Sequence, residues 1–315
     1  MTPASEVSTP FDVIAVGETM LSLIAVGGSL EEAADFRATH GGAETNTLVA
    51  MARLGARTAW VSRLGEDAFG RRLRLDLSEE GLDLRWVAHD DERPTGVMIR
   101  DTRGSVIYRR SGSAASALTP DDLLDVPLHA SRSVLVTGVT ALIGDGPQRT
   151  AIAMLEAAGG LRVLDPNLRP GLWGSERAVQ LISPLMQRCD LLLGGHAELT
   201  TLVGGGDDPD DLRSLAERCQ AVGPSEVVIK RGAHGAVVLD TDGAWTEHGG
   251  SVVLEVDPVG AGDAFNAGYL HARLGGGSAA DALIAGAGMG ASVAGAIGDT
   301  PGSTDPSPSS QGNHA

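Results

Sequence analysis

The stretch DPVGAGDAFNAG, residues 257–268, packs small residues around one acid, Asp263. The apolar run SVVLEV ahead of it reads as a strand, and AFNAGYLHARLG behind it reads as a helix, so the glycines fall at a strand-to-helix turn. Backbone N–H groups in a first helical turn lack intrahelical partners and stand at the positive end of the helix dipole, which makes an anion site. Gly260 and Gly262 let a ligand approach that backbone closely. An acid beside an anion site repels the anion unless its task is to take a proton. Asp263 is therefore a candidate general base toward a hydroxyl, with the N–H groups holding a phosphoryl group in transit. On this stretch alone a plainer reading stays open: a turn followed by an acid that complements the dipole. The third glycine of a dinucleotide fingerprint is missing, and no G-x-x-x-x-G-K-[ST] occurs anywhere.

A second constellation decides between these readings. GGAETNTLVAMARLG, residues 41–55, sets Gly41, Gly42 and Asn46 at the start of an amphipathic helix. With both motifs in this order, the chain resembles the PfkB carbohydrate kinases, the ribokinase-like family, from about Phe11 to Gly302. The resemblance implies an ATP-dependent sugar kinase with a Rossmann-type three-layer α/β core, a mainly parallel sheet and a small β-lid. By that match Asp263 deprotonates the acceptor hydroxyl, and the N–H groups of Gly260, Ala261 and Gly262 form the anion hole. Lys230 to Gly232, in VIKRGAHGAVV, are placed beside the triphosphate or ribose, and the helix around Ala287 beside adenine, where small residues leave room for a flat base. Plain tight helix packing explains that Gly/Ala run equally well. Glu198 is implied to hold Mg²⁺ through water, although Gly195 stands where the family's N-x-x-E motif has Asn. Pro258 likewise replaces a more usual Thr. A monovalent cation such as K⁺ stays open as a further cofactor.

The acceptor is narrowed by what surrounds these motifs. Ribokinase-type members carry an Asp about five residues after the first-strand glycine; this chain has Ser22 there, which disfavours ribose and nucleosides. VIYRRSGSAAS puts Tyr108 and Arg110 on one face of a lid strand, and LDPNLRPGLW adds Arg169 after a central strand. Two guanidinium forks converging on a small pocket match a carboxylate. The Y-x-R-x-x-S-A-A and D-x-N-x-R patterns are similar to those of 2-keto-3-deoxygluconate kinases. Gly41, Gly42 and Asn46 are then implied to hold sugar hydroxyls, and Tyr108, Arg110 and Arg169 the keto-acid end. A fructokinase is the neighbouring alternative, and a catalytically silent sugar-binding relative the more distant one.

Positioning these groups falls to alternating strands and helices, whose order means βαβ units under two helical layers. Helices are expected from Asp67 to Glu80, from Gln148 to Ala158, and from about Ala261 and Ala279. The lid is expected from residues of about 19–40 and 92–115, with a hairpin turn at Asp101 to Gly104. Residues 1–10 and 303–315 are polar, Pro- and Ser-rich, and read as disordered flanks of a kinase domain at 11–302. A formal charge of −17 over 315 residues disfavours nucleic acid and anionic lipid as partners. The N-terminus lacks a secretory h-region and the two cysteines form no framework, so a cytoplasmic protein is expected. Lid strands with an open apolar face suggest a homodimer formed through the lid.

Overall fold

The computed structural model describes residues 11–168, 174–205, 208, 211–250, 257 and 259–295. The expected strand at 251–256, both terminal segments and Arg169 lie outside the described residues.

Nine strands form the main sheet. In chain order they are β1 (Val13–Val16), β4 (Thr58–Gly65), β5 (Asp83–Asp90), β8 (Ser133–Thr137), β9 (Leu161–Asp165), β10 (Leu191–Gly195), β11 (Glu226–Lys230), β12 (Ala236–Leu239) and β13 (Trp245–His248). They lie side by side as β13-β12-β11-β10-β9-β8-β1-β4-β5. Every pairing from β11 to β5 is parallel, and the β11–β12 and β12–β13 pairings are antiparallel, so β12 alone runs against the sheet. Buried on both faces, the central strands read as continuous apolar runs such as LLL at 191–193, as parallel sheets require.

Alternate residues of β1 feed two separate cores. Ile14 and Val16 face α3 (Gly138–Leu142), α4 (Asp145–Ala157), α5 (Ser175–Met186), α6 (His196–Val203) and α7 (Leu212–Gln220). Val13 and Ala15 face α1 (Ala43–Arg53), α2 (Ala68–Glu79), α8 (Ala261–Leu274) and α9 (Ala279–Ala294). The result is the expected three-layer α/β architecture. Among the described residues no helix is long and apolar enough to cross a membrane.

Helix ends follow local chemistry. Asp67 caps α2 by accepting the Gly70 N–H at 2.8 Å. α4 begins three residues before the expected Gln148 because Pro147 is tolerated in a first turn, where its missing N–H would have no partner. α8 and α9 begin where the sequence places them, at Ala261 and Ala279.

A second, four-stranded sheet is the lid, ordered β3-β2-β6-β7, from β2 (Met20–Ala25), β3 (Phe36–Gly41), β6 (Val97–Arg100) and β7 (Val106–Arg109). Its strands are shorter than the expected 92–115 span, since residues 114–117 turn into a 3₁₀ helix that joins the core. Arg100 at the end of β6 is fully enclosed and pairs with Asp257 at 2.9 Å, so the lid is tied to the segment that enters α8.

Candidate active site

Asp263 lies in the first turn of α8 and is 3 % exposed. Two side-chain amides hold its carboxylate: Asn46 Nδ2 donates to Oδ2 at 2.8 Å and Asn167 Nδ2 donates to Oδ1 at 3.2 Å. Thr47 Oγ1 donates to its backbone carbonyl at 3.2 Å. The three elements that converge here, α1, the end of β9 and α8, sit at the carboxyl ends of β1 and β9, where open α/β sheets bind ligands. Gly260, just before α8, takes φ = +83°, a conformation that suits glycine. The first intrahelical bond runs from Ala264 N–H to Gly260 C=O at 2.9 Å, so the N–H groups of Ala261 and Gly262 precede the ladder and remain for an anion.

The sequence singled out Asn46 as a partner of sugar hydroxyls rather than of Asp263, and placed Asn167 only within the D-x-N-x-R pattern. Asn167 follows Pro166 and carries φ = 41°, a positive φ that among the described non-glycine residues occurs only there. Its N–H donates to Asp165 Oδ1 at 2.8 Å, the local bond that lets Asn adopt this turn. The strained backbone aims the side-chain amide at Asp263. The D-P-N triplet at a strand end was the available signal.

A cavity of about 490 Å³ opens beside this cluster. Lys230, Gly232, Gly260, Gly262 and Ala287 all line it, as do Ala261, Asp263 and Glu198. Lys230 Nζ donates to Asp165 Oδ2 at 2.9 Å and to Asn266 Oδ1 at 3.1 Å. Desolvation alone would lower its pKa, but Asp165, Glu198 and Asp263 outweigh that and raise it, so the ammonium is a fixed positive charge in the cavity wall. Asp165 is thereby occupied on both oxygens. The small residues of α9 do two jobs. A Cβ on Gly268 of α8 would come within 2.5 Å of the Ala285 carbonyl, and one on Gly286 within 3.0 Å of Phe265, so glycine permits the α8–α9 approach. Ala287, Gly290, Ala291 and Ala294 face the cavity instead.

Glu198 stands in the first turn of α6, and its Oε2 accepts the Gly195 N–H at 2.6 Å. Among the described residues no three His, Cys, Asp or Glu groups gather as a metal ligand set. Carboxylates spread along one wall suit a hydrated Mg²⁺ held through water, since that ion dehydrates reluctantly.

On the lid side, β7 ends at Arg109, so Arg110 lies one residue past the strand rather than on its face with Tyr108; its guanidinium is 5.9 Å from the centre of the Tyr108 ring. Arg110 also pairs with the buried Glu18. Gly41 closes the β2–β3 ladder opposite Met20. Gly42 has extended backbone and is needed for space, because a Cβ there would come within 2.5 Å of the Glu18 carbonyl. Glu44, also unassigned from sequence, is buried in the first turn of α1 with Oε1 accepting from Thr137 Oγ1 at 2.6 Å and Thr140 Oγ1 at 2.5 Å. Burial pushes its carboxyl above the usual range, against the pull of those hydroxyls and of Arg110.

Known proteins resemble this chain over most of its length. A family profile for pfkB family carbohydrate kinases matches residues 11–306. The 2-dehydro-3-deoxygluconokinase of Bacillus subtilis (strain 168) is 33 % identical over 301 residues, 92 % of each chain. Fructokinase-1 of Zea mays is 33 % identical over 267 residues, 80 % of each chain. The crystal structure of a PfkB protein from Polaromonas sp. JS666 superposes with a TM-score of 0.81 at 35 % identity, covering 90 % of this chain and 96 % of that one. With the lid, the three-layer core and the glycine turn before Asp263 all accounted for, the chain belongs to the pfkB family of carbohydrate kinases.

Proposed function

We propose that this kinase transfers the γ-phosphoryl group of ATP to the terminal hydroxyl of 2-keto-3-deoxygluconate. The observation that carries the chemistry is the Asp263 carboxylate, buried, clamped by two amides and exposed to the cavity beside the first turn of α8. In that position it accepts the acceptor's proton as the new O–P bond forms and the bond to the ADP oxygen breaks. The N–H groups of Ala261 and Gly262, together with Gly260, meet the negative charge of the phosphoryl oxygens with no reorganisation. Lys230 and Gly232 border the nucleotide, and Ala287 leaves space for its base. Mg²⁺, held through water by Glu198, would neutralise phosphate charge. Gly41, Gly42 and Asn46 contact sugar hydroxyls.

The acid specificity rests on Tyr108, Arg110 and Arg169 and on the likeness to the Bacillus subtilis enzyme. A fructokinase is the second reading, favoured by the comparable likeness to the Zea mays enzyme. Exposed Val106 and Ile107 on the β7 edge support dimerisation through the lid.

Arg169→Ala separates the two substrates. If its guanidinium binds the substrate carboxylate, the variant loses about 2–5 kcal/mol in kcat/KM toward the acid, and Arg169→Lys recovers only part. The KM for ATP stays unchanged and a neutral hexose loses far less. Equal losses for acid and hexose would defeat the sugar-acid assignment.

A further inference from the structure

Four chain crossings join the lid to the core, and all of them meet at Glu18, an acid that the reaction as described does not use. It lies between β1 and β2, only 4 % exposed. At the β3–α1 crossing, its carbonyl packs where a Cβ on Gly42 would sit. At the β5–β6 crossing, a Cβ on Gly96 would come within 2.9 Å of its Oε1. Beyond β7, Ser113 Oγ donates to that same Oε1, and Arg110 Nη2 lies 2.5 Å from Oε2. The Ala114 N–H donates to the Pro94 carbonyl at 2.9 Å, so the last two crossings also bind each other.

A buried carboxylate is costly unless a cation compensates it, and Arg110 is that cation. The pairing is one of charge without hydrogen-bond alignment: Arg110 Nε and Nη2 are buried and find no hydrogen-bond acceptor among the described residues. Glu18 engages the guanidinium from one side, at Nη2, so the orientation of the planar group toward a second planar anion depends on that contact. The guanidinium's other option is Glu44, whose Oε2 is buried without a hydrogen-bond partner and whose carboxyl already feels the Arg110 charge. Without Glu18, Arg110 would be drawn toward Glu44 or out to solvent.

We propose that Glu18 is the positioning residue that sets sugar-acid specificity, pinning Arg110 and Ser113 so that the Arg110 fork faces the substrate carboxylate. This inference rests on the sugar-acid reading above. Glu18 acts through Arg110 and touches no reacting atom.

The test is a double-mutant cycle of Glu18→Gln and Arg110→Met, read as kcat and KM for the keto-deoxy acid, for a neutral hexose and for ATP. Glu18→Gln keeps shape but not charge, and is expected to lower kcat/KM for the acid by about 10- to 100-fold, mainly through KM, the scale set by a misaimed binding group. The KM for ATP and the hexose rate hold. Because Glu18 works through Arg110, the double variant is no worse toward the acid than Arg110→Met alone. Glu18→Asp, which keeps the charge on a shorter arm, restores part of the loss. Losses that multiply in the double variant, or an acid KM untouched by Glu18→Gln, overturn the inference while leaving the sugar-acid reading in place. An Arg110→Met variant with unchanged acid kinetics overturns both. Should Glu18→Gln fail to fold, Ser113→Ala removes only the hydroxyl tie and is expected to raise the acid KM selectively; no change there is equally fatal.

Discussion

Replacing Asp263 by Asn removes the proposed base with little change in shape, and the structure allows its two effects to be separated. The carboxylate accepts one amide N–H on each oxygen, from Asn46 and Asn167. An Asn side chain can accept only one of these, so the other contact becomes donor against donor. Asn46 can relieve that clash by turning its own amide over, because its Oδ1 is buried and has no hydrogen-bond partner. The folding penalty is then that of one exchanged neutral hydrogen bond, about 0.5–1.5 kcal/mol. Loss of a positioned general base removes about 10²- to 10⁴-fold in rate, or roughly 2.7–5.4 kcal/mol of transition-state stabilisation. The second quantity exceeds the first at every point of its range. A coupled assay of ADP release should therefore show kcat reduced by at least two orders of magnitude, on the same scale. The thermal midpoint should shift by only a few degrees and the KM for the sugar should change much less than kcat. A variant that turns over at near the parent rate would refute the assignment of Asp263, and so would a loss confined to KM.

Two other substitutions probe neighbouring parts of the site. Gly262→Val should fold, since among the described residues a Cβ there meets nothing closer than Lys230 Nζ at 3.7 Å, yet it should abolish phosphate binding by filling the approach to the first turn of α8; nucleotide titration of a variant with parent-like circular dichroism checks this, and retained ATP affinity would count against the anion site. Glu44 has its folded-state pKa raised by burial, so the folded chain holds its proton more tightly than the unfolded chain and stability falls as pH rises from the ordinary carboxyl value of 4.5 toward the raised one. Glu44→Gln cannot ionise, and its thermal midpoint should gain on the parent's across that window; a constant difference between the two from acid to neutral pH would show that Glu44 does not titrate in this way.

Much of the fold and part of the site were legible because the deciding physics is local. The alternation of strand and helix, the Asp67 cap and the starts of α8 and α9 depend on residues a few positions apart. So does the turn that sets Gly260, Ala261, Gly262 and Asp263 at a helix N-terminus, the feature from which an anion site and a base could be inferred. The two jobs of the α9 glycines could not be told apart by composition, because packing against α8 and lining a cavity call for the same small residues.

The sequence by itself therefore determined which groups stand at the strand-to-helix turn before α8, while tertiary structure decided what each is bonded to. Asn46 and Asn167 reach Asp263 from 217 and 96 positions away, and Lys230 is committed to Asp165 across 65. Glu18 gathers Arg110 and Ser113 at a point where four crossings of the chain coincide. A buried polar group must find a partner, but any of several Asn, Asp, Glu or Arg residues could supply one, and nothing in their spacing along the chain chooses among them. That choice is made by the packing of sheet, helices and lid, which brings the Asn46 amide within 3 Å of Asp263 Oδ2.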